Sequence, residues 1–213
     1  MNGTGIVNCR GNATIILERT NTISAPSGNT AMTGGIQIVK GYTLTIDGSG
    51  SLYAEGSSYG PAIGCYQDAG DIVINGGVIT AIGGSYAAGI GSGNDGDCAD
   101  ITINGGTVTA VGGPKCAGIG SGCRGNYGSI YIRRGIAKVM ATCGEGCYPT
   151  LSCIGAGKDG TGQTVSYGGV TSTYDGNTRI LTGDALLTDG DANGDSTVSI
   201  TDAVGVVDII LEK

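Results

Sequence analysis

DIVINGGVITAIGGSYAAGIGSG (Asp71–Gly93) is followed by DITINGGTVTAVGGPKCAGIGSG (Asp100–Gly122), the same pattern displaced by 29 residues. Both copies end on AGIGSG, at Ala88–Gly93 and Ala117–Gly122. A glycine-rich run of this kind either cradles a phosphate or turns a corner once per repeat. A phosphate loop sets its glycines at a strand-to-helix junction, where backbone amides and the helix N-terminus meet the anion. Here NDGDCAD follows Gly93 and CRGNYGS follows Gly122, each leading into another alternating stretch, and GK[ST] is missing. The run therefore reads as a tight corner at which glycine supplies positive φ and lets neighbouring backbones approach.

The repeat extends in both directions. An earlier copy is TLTIDGSGSLYAEGSSYGPAIG (Thr43–Gly64), and a degenerate later one is SIYIRRGIAKVMATCGEGCYPTLSCIGAG (Ser129–Gly157). The corner isoleucines are Ile63, Ile90, Ile119 and Ile154, at intervals of 27, 29 and 35 residues. Each copy holds two short stretches of period-two alternation, such as ITI and TVTAV, which mark strands separated by glycine pairs. Self-similarity at this period is the mark of a stacked array. Strands without intervening helices predict a parallel β-helix, one coil per copy. Weaker end copies at IILERTNTISA (Ile15–Ala25) and TVSYGGVTSTY (Thr164–Tyr174) bring the expectation to about six coils. A β-sandwich, the competing all-β architecture, does not predict such regular spacing between equivalent corners.

Composition agrees. Of 213 residues 44 are Gly, there is no Trp, Phe or His, and 14% are charged, yet 39% are hydrophobic and can build a core. No apolar run reaches the length of a membrane span. The opening MNGTGIVNCR lacks a signal-peptide pattern, which fits a cytosolic chain or a mature segment given an initiator Met. Eight cysteines (Cys9, Cys65, Cys98, Cys116, Cys123, Cys143, Cys147, Cys153) fit disulfides made in an oxidising compartment. Free buried thiols and a zinc site starting at CGEGC are the alternatives, although zinc lacks both a His and a matching second pair. Without His, a Ser/His or Cys/His nucleophile pair is excluded.

Stacked coils turn equal offsets from the corner isoleucine into columns. Four residues before it stand Tyr59, Tyr86 and Lys115, a candidate sugar-stacking platform whose plainer role is to cover apolar loops. Five residues after it stand Asp68, Asp95, Arg124 and Asp159. With Asp71, Asp97 and Asp100 nearby, this acidic group either bonds turn amides or binds calcium. With Lys115 or Arg124 as base, Asp95, Asp97 and Asp100 would then form a lyase-type site. Thr102, Thr107 and Thr109 suggest an ice-ordering ladder, but Val73, Tyr131, Val78 and Lys138 interrupt it at matching positions.

The tail differs from the body, which divides the chain into 1–183 and 184–213. Residues 184–213 hold seven of the 18 acidic side chains and one of the 11 basic ones. Within them DANGDSTVSITD (Asp191–Asp202) spaces oxygen donors as a calcium loop does: Asp191, Asn193, Asp195, the Thr197 carbonyl, Ser199 and Asp202. A helical stretch with Val204, Val207 and Leu211 on one face follows. GDANGDSTVSITDAVGVVDIIL closely resembles one loop–helix repeat of a dockerin, the calcium-dependent module that docks onto cohesins in extracellular carbohydrate-degrading assemblies. The resemblance implies bound Ca2+ and a cohesin partner met by Ile200 and Thr201. Dockerins usually carry two such repeats where this chain carries one, and Ser196 takes a loop position that often holds Gly. The body, over about residues 40–160, resembles the glycine-rich repeats of secreted proteins from anaerobic gut and rumen bacteria that are labelled carbohydrate-binding. Together these imply a secreted or cell-surface, non-catalytic polysaccharide-binding or adhesin module. A polysaccharide lyase and a purely structural stalk are the other readings, because a β-helix hosts all three. The acidic balance disfavours nucleic acid.

Overall fold

The structure is a computed structural model that describes residues 2–4, 7–25, 32–146 and 152–183. The chain winds as a succession of short strands into three sheets, parallel throughout except for a hairpin in sheet 1. One coil shows the plan. Ile90–Ser92 lies in sheet 2, Ile101–Ile103 in sheet 3 and Gly106–Val111 in sheet 1, and Ile119–Gly120 then re-enters sheet 2 one rung higher. Sheets 2 and 3 each stack six strands, and every pairing within them is parallel. About four internal coils have a neighbour on both sides, with a further coil at either end. This is the expected all-β parallel β-helix.

Period-two alternation decides which side chains face inward. Ile36, Ile63, Ile90, Ile119 and Ile154 form one column on sheet 2. Ile72/Ile74, Ile101/Ile103 and Ile130/Ile132 line sheet 3, while Ile79/Ala81, Val108/Ala110 and Val139/Ala141 line sheet 1. All are essentially inaccessible to solvent. Each buried Ile contributes about 1.5–3 kcal/mol.

The glycine that follows each corner Ile is obligatory. Gly64, Gly91, Gly120 and Gly155 have φ of 136°, 131°, 128° and 136°. A Cβ on Gly91 would lie 1.8 Å from the Gly120 carbonyl oxygen. The phosphate-loop alternative thus gives way to a corner in which backbone stacks on backbone.

Two details depart from the expected regularity. In the degenerate copy the offset between paired residues grows along one coil: Ile101 pairs Ile130, Thr107 pairs Lys138 and Ile119 pairs Ile154. Its six extra residues therefore enter piecemeal, partly at an irregularity between Gly106 and Thr107 and partly after Cys143, and the core columns stay in line. At the far end, only Val165–Gly168 of the expected last coil continues the parallel stack, pairing Ile130–Arg133. Val170–Asp175 and Thr178–Gly183 instead form an antiparallel hairpin whose second strand pairs antiparallel with Ile136–Thr142. The path reverses at the turn between the two hairpin strands, where Gly176 stands at φ 57°.

Candidate functional site

Two side-chain columns flank the short strands of sheet 2. The first is aromatic. Tyr59 and Tyr86 stack with ring centroids 4.8 Å apart and planes 17° from parallel, and Tyr66 meets Tyr59 edge-on at 6.3 Å and 89°. One coil of rise brings the first two rings to stacking distance because Tyr86 N–H bonds the Ser58 carbonyl at 3.0 Å. Tyr86 remains 46% exposed. The expected column is present, but the two tyrosines spend one face on each other rather than lying side by side as a flat floor. Lys115 does not complete the platform, because its alkyl chain runs along Gly146 of the next coil, where an added Cβ would meet Lys115 Cε at 3.3 Å. Tyr66 was missed in sequence because it lies three residues after the corner Ile63, outside the column offset.

The second column is polar and runs from coil to coil. Asp71 Oδ1 accepts from Asp100 N–H at 3.1 Å, and Asp100 Oδ1 accepts from Ser129 N–H at 2.6 Å. Beside it, Asp97 Oδ1 accepts from Asn126 N–H at 3.0 Å, and Asn126 Oδ1 accepts from Thr161 N–H and Oγ1 at 3.1 and 2.7 Å. These carboxylates bond amides one full coil away, not the adjacent turn amides expected from sequence. Charge-assisted bonds of this kind are stronger than neutral ones. They line a shallow groove of about 310 Å³ with Lys40, Asp68, Asp97, Asp100, Asn126 and Gln163 among its walls. Asp68 also pairs with Lys40 at 3.3 Å.

The column assigned to Asp68, Asp95, Arg124 and Asp159 needs one correction. The 27-residue coil is two residues shorter between Ile63 and Asp71 than its successor, so Ala69 pairs Cys98 and Asp68 faces the Asp97 amide rather than Asp95. Asp95 and Arg124 do stack, through a bidentate pair with Nε–Oδ1 at 2.6 Å and Nη2–Oδ2 at 2.7 Å. Hydrogen bonding to the Arg124 guanidinium, with its charge, holds the Asp95 carboxyl below the usual aspartate range, and Asn94 adds a further bond. The same contact raises Arg124. Asp95, Lys115, Arg124 and Asp159 all sit at φ of 60–61°, in left-handed turns that side chains other than Gly adopt uncommonly. The geometry therefore gives residues of the lyase-type reading ordinary work in the turns: Arg124 is held by Asp95, and Asp97 and Asp100 bond the next coil. Among the described residues no group of three His, Cys, Asp or Glu is arranged to hold a metal.

The threonine positions fall into the register read from sequence, with Thr102 between Val73 and Tyr131 and Thr107 between Val78 and Lys138. Thr109 has Thr80 on one side and Met140 on the other, so no continuous threonine ladder forms. Among the described residues no two cysteines are joined by a disulfide, while the sulfurs of Cys116 and Cys123 lie 3.4 Å apart and those of Cys143 and Cys153 3.7 Å apart. Burial pushes the Cys98 thiol up, and the nearby carboxylates of Asp71, Asp100 and Asp97 push it further, which leaves it a packing group. The calcium-loop residues Asp191, Asn193, Asp195, Thr197, Ser199 and Asp202, and the docking residues Ile200 and Thr201, lie outside the described residues.

A family model described as a beta helix repeat matches residues 72–94 and 101–123, the two coils that share the AGIGSG corner. No curated protein and no solved structure matches the chain.

Proposed function

We propose that the chain is a non-catalytic module that binds polysaccharide outside the cell, tethered through a calcium-loaded segment at 184–213 to a cohesin-type partner. The observation that carries the binding reading is the Tyr59–Tyr86–Tyr66 cluster. Three aromatic rings hold one another in fixed orientation while Tyr86 stays 46% exposed. Aromatic faces and edges suit the apolar C–H face of a sugar, and rings already locked by packing lose little freedom on binding. The polar groove of Asp97, Asp100 and Asn126 offers hydroxyl partners around the same short sheet. The non-catalytic part is favoured over a lyase by the commitments of Asp95, Asp97, Asp100 and Arg124 to coil-to-coil bonds.

The test is depletion of the protein from solution by a panel of soluble and insoluble polysaccharides, with the supernatants read for unsaturated and reducing ends. Retention without product is expected, and Tyr86→Ala should weaken it roughly tenfold, equivalent to about 1.4 kcal/mol. Product formation would replace the binding reading by the lyase one. For the tail, a cohesin column run with calcium and with chelator separates the two parts: Asp191→Ala should lose the cohesin and keep the polysaccharide.

A further inference from the structure

Two corners of the solenoid carry paired cysteines where the neighbouring coils carry other pairs. The first pair brackets the AGIGSG corner itself. Cys116 and Cys123 occupy the coil positions of Ala87 and Asn94, each 29 residues on, and their sulfurs lie 3.4 Å apart. The second pair, Cys143 and Cys153, occupies the positions of Gly112 and Gly118, as the pairings Val111 with Thr142 and Ile119 with Ile154 fix. In the earlier coil those glycines sit where the chain closes on itself. A Cβ on Gly112 would meet the Ala117 carbonyl oxygen at 2.2 Å, and one on Gly118 would meet the Ala110 carbonyl oxygen at 2.7 Å. The longer later coil opens this closure enough to bury two cysteines there, with sulfurs 3.7 Å apart. One cysteine at any of these positions is explained by packing. Replacement at both ends of one corner, twice in succession, with the sulfurs converging each time, is not.

We propose that Cys116–Cys123 and Cys143–Cys153 are two cross-linking sites that close as disulfides and lock the last coils beneath the hairpin. A disulfide needs its sulfurs at about 2.05 Å, so each pair has to close by roughly 1.5 Å, a distance within reach of side-chain rotation. The oxidant is a small-molecule disulfide. The half-exposed Cys123 thiolate attacks one of its sulfurs and releases one small thiol; Cys116 then attacks the Cys123 sulfur and releases the second. Two protein S–H bonds are lost and one S–S bond forms, while the two electrons reduce the external disulfide to two thiols. Cys143 and Cys153 are buried, so their bond forms more slowly, after local opening.

The sequence makes the test direct. Lys115 and Arg124 flank the first pair, so trypsin releases both cysteines in one peptide, Cys116–Arg124. The whole chain is treated with oxidised glutathione or with dithiothreitol, in chelator throughout so that bound metal cannot mask a thiol, then alkylated and digested. After oxidation this peptide should be about 2 Da lighter than its dithiol form and carry no alkyl group; after reduction it should carry two. Cys143 and Cys153 share the tryptic peptide Val139–Lys158, which cleavage after Glu145 divides between them. In a Cys147→Ser variant its halves should stay joined after oxidation. The oxidised protein should melt several degrees above the reduced one, because cross-links restrict the unfolded chain. The gain should vanish in Cys123→Ser/Cys153→Ser. Two alkyl groups on Cys116–Arg124 after oxidation, a link from that peptide to Cys147, or separation of the halves in Cys147→Ser would each overturn the assignment.

Discussion

At the scale of single residues, φ separates the corners into two kinds with opposite responses to substitution. Gly91 must be glycine: it combines φ 131° with a carbonyl oxygen 1.8 Å from any added Cβ. Gly91→Ala should cost more than about 4 kcal/mol, in the range reserved for changes the backbone cannot absorb. A thermal melt by circular dichroism will show it, and a Tm within a few degrees of the parent would refute the backbone stacking. Lys115 is the converse, a side chain held at φ 61°. Lys115→Gly removes the left-handed strain but adds unfolded-state freedom that is lost on folding, for a net gain of about 0.5–1 kcal/mol and a Tm a few degrees higher. Asp95 supplies a pH signature. Its folded pKa lies below the ordinary 3.8 because Arg124 bonds the carboxylate. Its contribution is therefore complete above about pH 4 and is lost as pH falls through the depressed value. The stability difference between the parent and Asp95→Asn should persist from pH 7 to about pH 4 and shrink below that; a difference that grows on acidification would contradict the assigned pair.

At the scale of elements, the same alternation that marks a strand also chooses the column each side chain joins, and so most of the architecture was legible. The ITI and TVTAV stretches, the corner isoleucines and the threonine register all follow from period two plus a fixed repeat. What escaped was whatever depends on insertions within a repeat. Asp68 moved from beneath Asp95 to beneath Asp97 because two residues are missing between its corner and the next strand, and counting from the corner alone cannot see on which side a deletion falls. The purpose of the carboxylates was hidden for a related reason: a bond from Asp100 to the Ser129 amide joins positions 29 apart that only stacking brings together. Asp100→Ala should leave that buried amide unsatisfied and cost about 1–3 kcal/mol. Asp100→Asn keeps the accepting oxygen and should cost less than half as much in urea unfolding. Equal losses would mean that charge, not the bond, is what the column uses.

At the scale of the whole molecule, a solenoid has two ends, and each is a sheet edge with unpaired amides and carbonyls ready to recruit another chain. Repeat proteins manage this with atypical terminal units, and here the C-terminal hairpin does so by reversing direction. Thr178–Gly183 pairs antiparallel with Ile136–Thr142, and Leu181 falls opposite Val139 and is fully buried, closing the apolar interior. The hairpin is held in turn by Arg179, whose guanidinium lies 4.3 Å over the Tyr167 ring and 5.1 Å from that of Tyr174, with Nε bonded to Ser172 Oγ at 3.0 Å. The reversal was the least legible feature of the body, because TVSYGGVTSTY alternates as well as any coil and the turn that reverses the chain, Gly176–Asn177, lies just beyond it. A parallel continuation would have offered its outer edge to another solenoid in the register that the coils already use among themselves; an antiparallel edge strand does not fit that register. A chain ended at Gly169 uncovers both the strand Ile136–Thr142 and the interior behind it. It should form dimers and larger species in sedimentation at concentrations where a chain ended at Gly183 remains monomeric. Equal sedimentation of the two would mean that the hairpin packs on the end of the solenoid without protecting it.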